Sequence, residues 1–118
     1  MNNAQMTGLS NDMRTCIDNC LTCYAACEET VGHCMQMGGA HAEHQHIALL
    51  EDCGTLCETS AKLMLRMSPL HPELCRMCAD ACDRCKESCE RISRDDEVMR
   101  RCVEACESCA ESCRRMSV

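Results

Sequence analysis

The chain has 118 residues, the size of one ordinary domain, and a net charge of −7, which argues against nucleic acid or an anionic membrane as partner. It contains no Phe or Trp and one Tyr, and its nine Leu, three Ile and four Val together only equal its sixteen Cys. With so few large aliphatics the chain would be disordered unless free Cys, which packs as a small hydrophobe, and the ten Met build the interior.

Met1 to Ser10 carries neither a basic n-region nor an apolar h-region, and no later apolar run approaches the length of a membrane span. The expectation is a cytosolic protein with reduced thiols rather than a secreted disulfide scaffold. From Ser10 to Met37 the sequence reads as a first helix carrying Cys16, Cys20, Cys23, Cys27 and Cys34. Thr30 fills the one gap in their alternating steps of three and four, and the same register takes in Met13 and Met37. Gly38-Gly39 breaks it. A second helix, roughly 41–67, places Cys53 and Cys57 in register with His46, Leu50, Ser60, Met64 and Met67. Ser68-Pro69 and His71-Pro72 form the next break, with Pro72 suited to a first helical position. The third helix, roughly 72–92, carries Cys75, Cys78, Cys82, Cys85 and Cys89, with His71 and Ile92 extending the register. Ser93 and Asp96 read as a capping pair for the fourth helix, roughly 96–116, which carries Cys102, Cys106, Cys109 and Cys113 between Met99 and Met116.

Ala, Glu, Arg, Met and Leu dominate these segments, β-branched residues are few, and no strand alternation appears. Short connections between long helices predict one all-α domain over residues 1–118, an antiparallel up-down-up-down four-helix bundle with a cysteine-lined core. Carboxylates and arginines such as Glu28, Asp80, Arg84, Glu104 and Glu111 fall on the opposite faces, as solvated residues. Ala, Leu or Val would fill a seam without risk of oxidation, so sixteen cysteines confined to it point to chemistry. Neighbours at i,i+3 or i,i+4 on one helix do not suit disulfide geometry. Their Cβ atoms lie about 5–6 Å apart, and sulfurs leaning together can clamp a metal between them.

Soft thiolates and thioethers select Cu(I). Burying unneutralised thiolates costs several kcal/mol per ion, and about one Cu(I) per thiolate leaves the core near neutral. Four tetrahedral zinc sites would use every cysteine and leave roughly eight negative charges inside. The ferredoxin run of cysteines is absent, and Cys75-x-x-Cys78 lacks the βαβ setting of a thioredoxin-like site. All sixteen cysteines are therefore candidate ligands for multiple Cu(I) ions, joined by Met37, His46 and Met99 on the seam at one end.

The third and fourth helices, Cys75-Arg-Met-Cys78-Ala-Asp-Ala-Cys82-Asp-Arg-Cys85-Lys-Glu-Ser-Cys89 and Cys102-Val-Glu-Ala-Cys106-Glu-Ser-Cys109-Ala-Glu-Ser-Cys113, resemble the bacterial cytosolic copper storage proteins. The resemblance spans the chain, including Cys53-x-x-x-Cys57 and the His-rich start of the second helix. It implies Cu(I) stored inside a four-helix bundle, usually a homotetramer, with copper donor or acceptor proteins as further partners. The family often has histidines just before the fourth helix; Arg94-Asp95-Asp96-Glu97 stands there here, and the helix-two histidines are the expected substitute.

In an antiparallel bundle one mouth would collect Cys34, Met35, Met37, His41, His44, His46, Cys89, Met99 and Cys102. The other would collect Met13, Cys16, Met64, Met67, His71, Cys75, Cys113 and Met116. The resemblance favours copper passing through the first. Two other classes stay open: a zinc or mixed-metal buffer, and a structural or interaction module with an incidental cysteine core. For the latter, Leu49, Leu56 and Leu63, at heptad spacing beside the seam of the second helix, would either form a subunit interface or merely widen the core. No open ligand set with a general base suggests an enzyme.

Overall fold

A computed structural model describes residues 9–118 as four α-helices; the N-terminal segment on which the reading of Met1 to Ser10 rests lies mostly outside the described residues. The helices are α1 (Asn11–Met37), α2 (His44–Leu65), α3 (His71–Ile92) and α4 (Glu97–Met116), with a single 3-10 turn, Gly39–Ala42, before α2. Among the described residues there is no strand. The start of α1 meets the end of α4 through Cys16 and Cys113. The start of α2 meets the ends of α1 and α3 through His46, and the end of α2 meets the start of α3 through Met64 and Cys75. Neighbours in sequence are therefore antiparallel, α1 also packs on α4, and α1 and α3 sit on a diagonal. This is the up-down-up-down bundle.

Local chemistry sets the helix ends. Ser10 caps α1, its hydroxyl accepting from the Met13 N–H at 3.1 Å. At the other end Gly38 and Gly39 take φ of +69° and +56°, a left-handed region that few other residues occupy cheaply. The chain then closes the 3-10 turn, so α2 starts at His44 rather than near His41. Asp96 caps α4 by accepting from the Met99 N–H. The Ser93–Asp96 capping pair does not form: Ser93 is the extended C-cap of α3, and its N–H donates to the Cys89 carbonyl. Pro72 sits one residue inside α3, where its missing N–H costs nothing.

The interior is sulfur. All sixteen cysteines are fully buried, together with Leu50, Met64, Met99, His46 and Ser60. Alternating steps of three and four keep one stripe of each helix inward, so four stripes of small side chains meet along a common axis. Gly54 lets α2 approach α1 at the level of Cys27 and Tyr24. Ion pairs such as Lys86–Glu107, Arg91–Glu43 and Arg114–Asp83 lie on the outside, where each contributes little.

Candidate metal centre

The thiols form one continuous column. Cys16 and Cys20 each lie 3.7 Å from Cys113. Cys57 touches Cys78 and Cys109 at 3.7 Å and Cys82 at 3.9 Å. Cys23 meets Cys106, and Cys53 meets Cys82, again at 3.7 Å. These are van der Waals contacts, far beyond an S–S bond of about 2.05 Å, and every cysteine is a free thiol. With a metal–sulfur bond near 2.3 Å, three thiolates around one ion sit roughly 4.0 Å apart and a linear pair about 4.6 Å apart. The sulfur spacing is thus within a few tenths of an ångström of a three-coordinate, thiolate-bridged geometry.

Groups of four whose sulfurs lie within 4.8 Å of one another tile the axis. From one end they run Cys20/Cys78/Cys109/Cys113, Cys57/Cys78/Cys82/Cys109, Cys23/Cys53/Cys57/Cys82, Cys23/Cys27/Cys53/Cys106 and Cys27/Cys85/Cys102/Cys106. Each group shares two cysteines with the next. Ions held in adjoining groups would therefore share sulfurs, so the run offers a common bed of ligands as well as separate pockets. Thr30 takes its seam position without adding a ligand, because its hydroxyl donates to its own helix at the Ala26 carbonyl, 2.6 Å away.

Protonation in this column is shared. In the pairs Cys102/Cys106 and Cys109/Cys113 on α4, the sulfur contact holds the second thiol above the ordinary range and its partner below it, while burial pushes all four upward. Cys34, beside His46 and Met99, is pushed up to about 11 by burial, with the charges of Asp96 and Cys102 adding to the effect. A metal-free core therefore holds protons that a soft cation must displace.

The two ends differ. At one, Cys34 lies 3.4 Å from His46 Nε2 and donates its S–H to Met99 Sδ at 3.6 Å. Ser88 Oγ, 2.7 Å from His46 Nδ1, orients the ring, and burial holds His46 below the usual imidazole range. Its Nε2 can then offer a lone pair beside a thiol and a thioether. At the other end Cys75 donates to Met64 Sδ at 3.9 Å, and Met13 and Met116 pack against the core from its edge.

Of the three residues expected to join the cysteines, His46 and Met99 meet at Cys34 and Met37 does not. Met37 is 55% exposed, because it ends α1 and Gly38 then turns the chain away from the axis. Met67 is likewise exposed, beyond the end of α2. His44 points outward, whereas His41 turns toward Asp96. The sequence reading missed two groups. His33, off the seam, lies 2.6 Å from Asp96 Oδ2, and Ser88 anchors His46 from the flank of α3. Neither belongs to the cysteine register, the one signal that marked the site.

Fold and site together define a class: a four-helix bundle that sequesters a bed of reduced thiols from solvent. The profile of the copper storage protein family matches residues 9–118, and the chain belongs to that family. A protein from Nitrosospira multiformis is 39% identical to it over 90% of this chain and 94% of its own, with a TM-score of 0.84. The Cu(I)-bound copper storage protein BsCsp3 is 31% identical, covering 92% of this chain and all of its own, at a TM-score of 0.83. A cytosolic copper storage protein from Streptomyces lividans, in a form loaded with five coppers, is 27% identical over 90% of this chain and 92% of its own, also at 0.83.

Proposed function

We propose that this chain stores Cu(I), loading many ions along its axis on the thiolates of Cys16, Cys20, Cys23, Cys27, Cys34, Cys53, Cys57, Cys75, Cys78, Cys82, Cys85, Cys89, Cys102, Cys106, Cys109 and Cys113. The observation that carries the reading is the run of buried thiol groups in which each shares two sulfurs with the next. Shared sulfurs favour a cation that accepts two or three ligands and lets one thiolate bridge two ions, as a soft monovalent metal does. Charge favours the same ion, since one Cu(I) replacing each thiol proton leaves the core neutral. The copper-bound relatives support it.

His46 and Met99 extend the ligand set at one end, where neutral imidazole and thioether donors hold copper more weakly than paired thiolates. Met37 is left out of that set because its side chain faces solvent. The protein acts as a store rather than a catalyst: fully buried ligands leave no open position for a substrate. The likeness to the cytosolic Streptomyces protein supports a cytosolic setting, in which the thiols stay reduced. Among the described residues no helix is long and apolar enough to cross a membrane. We read the chain as one domain, and a homotetramer would cover the apolar strip of Leu49, Leu56, Leu63, Leu70 and Met77 between α2 and α3.

Zinc is the second reading, because three of the groups, Cys20/Cys78/Cys109/Cys113, Cys23/Cys53/Cys57/Cys82 and Cys27/Cys85/Cys102/Cys106, have no member in common. Each tetrahedral site would leave about two negative charges in the core, which is why copper is preferred. Anaerobic titration of the reduced protein with Cu(I) separates the two. Storage requires uptake of at least about ten ions per chain, from near one per thiolate, with the helices intact. Saturation at four or fewer metals would sink it.

A further inference from the structure

The copper column leaves unused a cluster of imidazoles and a carboxylate at the same end of the bundle. His33 on α1 and His41 in the 3-10 turn both direct Nε2 at one oxygen, Asp96 Oδ2, at 2.6 and 3.3 Å. Their rings stand edge to face with centroids 6.0 Å apart. The other oxygen of Asp96 accepts the Met99 N–H at 3.1 Å, which fixes the carboxylate at the head of α4. All three side chains are at least three-quarters shielded from solvent. His41 Nε2 is buried yet makes no hydrogen bond, its approach to Asp96 lacking the geometry. An orphaned buried nitrogen is costly, and here it points at a carboxylate that already has a second imidazole on it.

A tetrahedral ion with bonds near 2.1 Å holds its ligands roughly 3.4 Å apart. His41 and Asp96 already stand at that separation, and His33 reaches it by withdrawing less than about 1 Å. Two imidazoles and a carboxylate are borderline-to-hard donors, unlike the sulfur column, and suit a divalent ion rather than Cu(I). The hydrogen bond from the α4 backbone to Asp96 is the kind of support that orients a metal-ligating carboxylate. Water reaching the site from the exposed side of His33 would complete a set of four ligands.

We propose that His33, His41 and Asp96 form a divalent-cation site, of zinc type, separate from the thiol column. The ion would tie α1, the 3-10 turn and the head of α4 together beside Cys34, His46 and Met99.

The test rests on the copper reading in one respect: the thiols must be occupied so that they do not take the probe. Protein saturated anaerobically with Cu(I) is dialysed against micromolar Zn(II), and the zinc retained per chain is measured. Co(II) is added in parallel as a spectroscopic probe. One zinc per chain is expected, with cobalt d–d bands free of sulfur-to-cobalt charge transfer. Asp96→Asn keeps a good helix cap while removing the charge. It should weaken zinc binding at least tenfold, as should His33→Gln and His41→Gln, with copper capacity unchanged in all three. Wild-type protein that retains no zinc, zinc retention indifferent to the three substitutions, or a thiolate charge-transfer band in place of the nitrogen–oxygen spectrum would each overturn the proposal. If copper loading itself failed, the copper content would show it before zinc was added. The difference between the cobalt spectra of the metal-free wild type and of its three variants, in which the common thiolate signal cancels, would then show whether nitrogen–oxygen bands are lost with His33, His41 or Asp96.

Discussion

Changing Cys57 to Ala removes a sulfur that touches Cys78, Cys82 and Cys109 and belongs to two adjoining groups of the column. Cys57 is fully buried, so the loss leaves a cavity about one methylene in size. By analogy with Ile→Val in a core this costs about 1 kcal/mol in the metal-free protein, or a fall of about 4 °C in thermal midpoint for a chain of this length. The effect on copper is distributive. If ions are bridged along a shared bed, neighbouring sulfurs re-coordinate, and the break point of an anaerobic Cu(I) titration should drop by about one or two ions from the near-one-per-thiolate capacity. If the metals instead occupy private four-cysteine sites, removing Cys57 destroys a whole site, and zinc capacity falls by one in about three. Copper:protein ratios measured beside zinc:protein ratios on wild type and variant decide the matter. An unchanged copper break point would refute the reasoning, since a sulfur at this junction cannot be dispensable in a bridged column. So would a zinc loss of one whole site with no bridging behaviour in the copper titration.

The metal-free, reduced protein is expected to be helical already by circular dichroism, because helix propensity and the packed sulfur seam need no ligand. Cu(I) should then raise the thermal midpoint by mass action, whereas a random-coil metal-free spectrum would mean that metal drives folding. Changing His46 and Met99 to Leu keeps the volume at the end beside Cys34 but removes both neutral ligands. Final copper capacity should fall little while uptake from a chelated Cu(I) donor slows severalfold. Met64→Leu at the opposite end, beside Cys75, should leave the rate unchanged, and the reverse ranking would place admission of copper at that end.

Much of the candidate site is legible in the sequence, because the information is one-dimensional. The 3,4 spacing of Cys16, Cys20, Cys23 and Cys27, repeated in α3 and α4, places every sulfur on one stripe of its helix. Four stripes of small soft side chains have only one way to leave water, which is toward each other, and all sixteen cysteines are buried as that demands. His46 and Met99 share that register and are buried with the cysteines. Met37 shares the register but not the burial, since periodicity cannot say where a helix leaves its neighbours; the positive φ of Gly38 and Gly39 decides that.

What the sequence by itself determined is the set of elements, the direction each stripe faces and the softness of the ligands on it. Tertiary structure alone decided which sulfurs from different helices meet, since the 3.7 Å approach of Cys57 to Cys109 or of Cys23 to Cys106 depends on the axial offset of packed helices. It also decided the convergence of His33 and His41 on Asp96, three residues from a helix, a turn and a cap that no periodic signal links. Local spacing is written in the chain as a rise of about 1.5 Å per residue, whereas the relative shift of two helices is a property of how their side chains interlock.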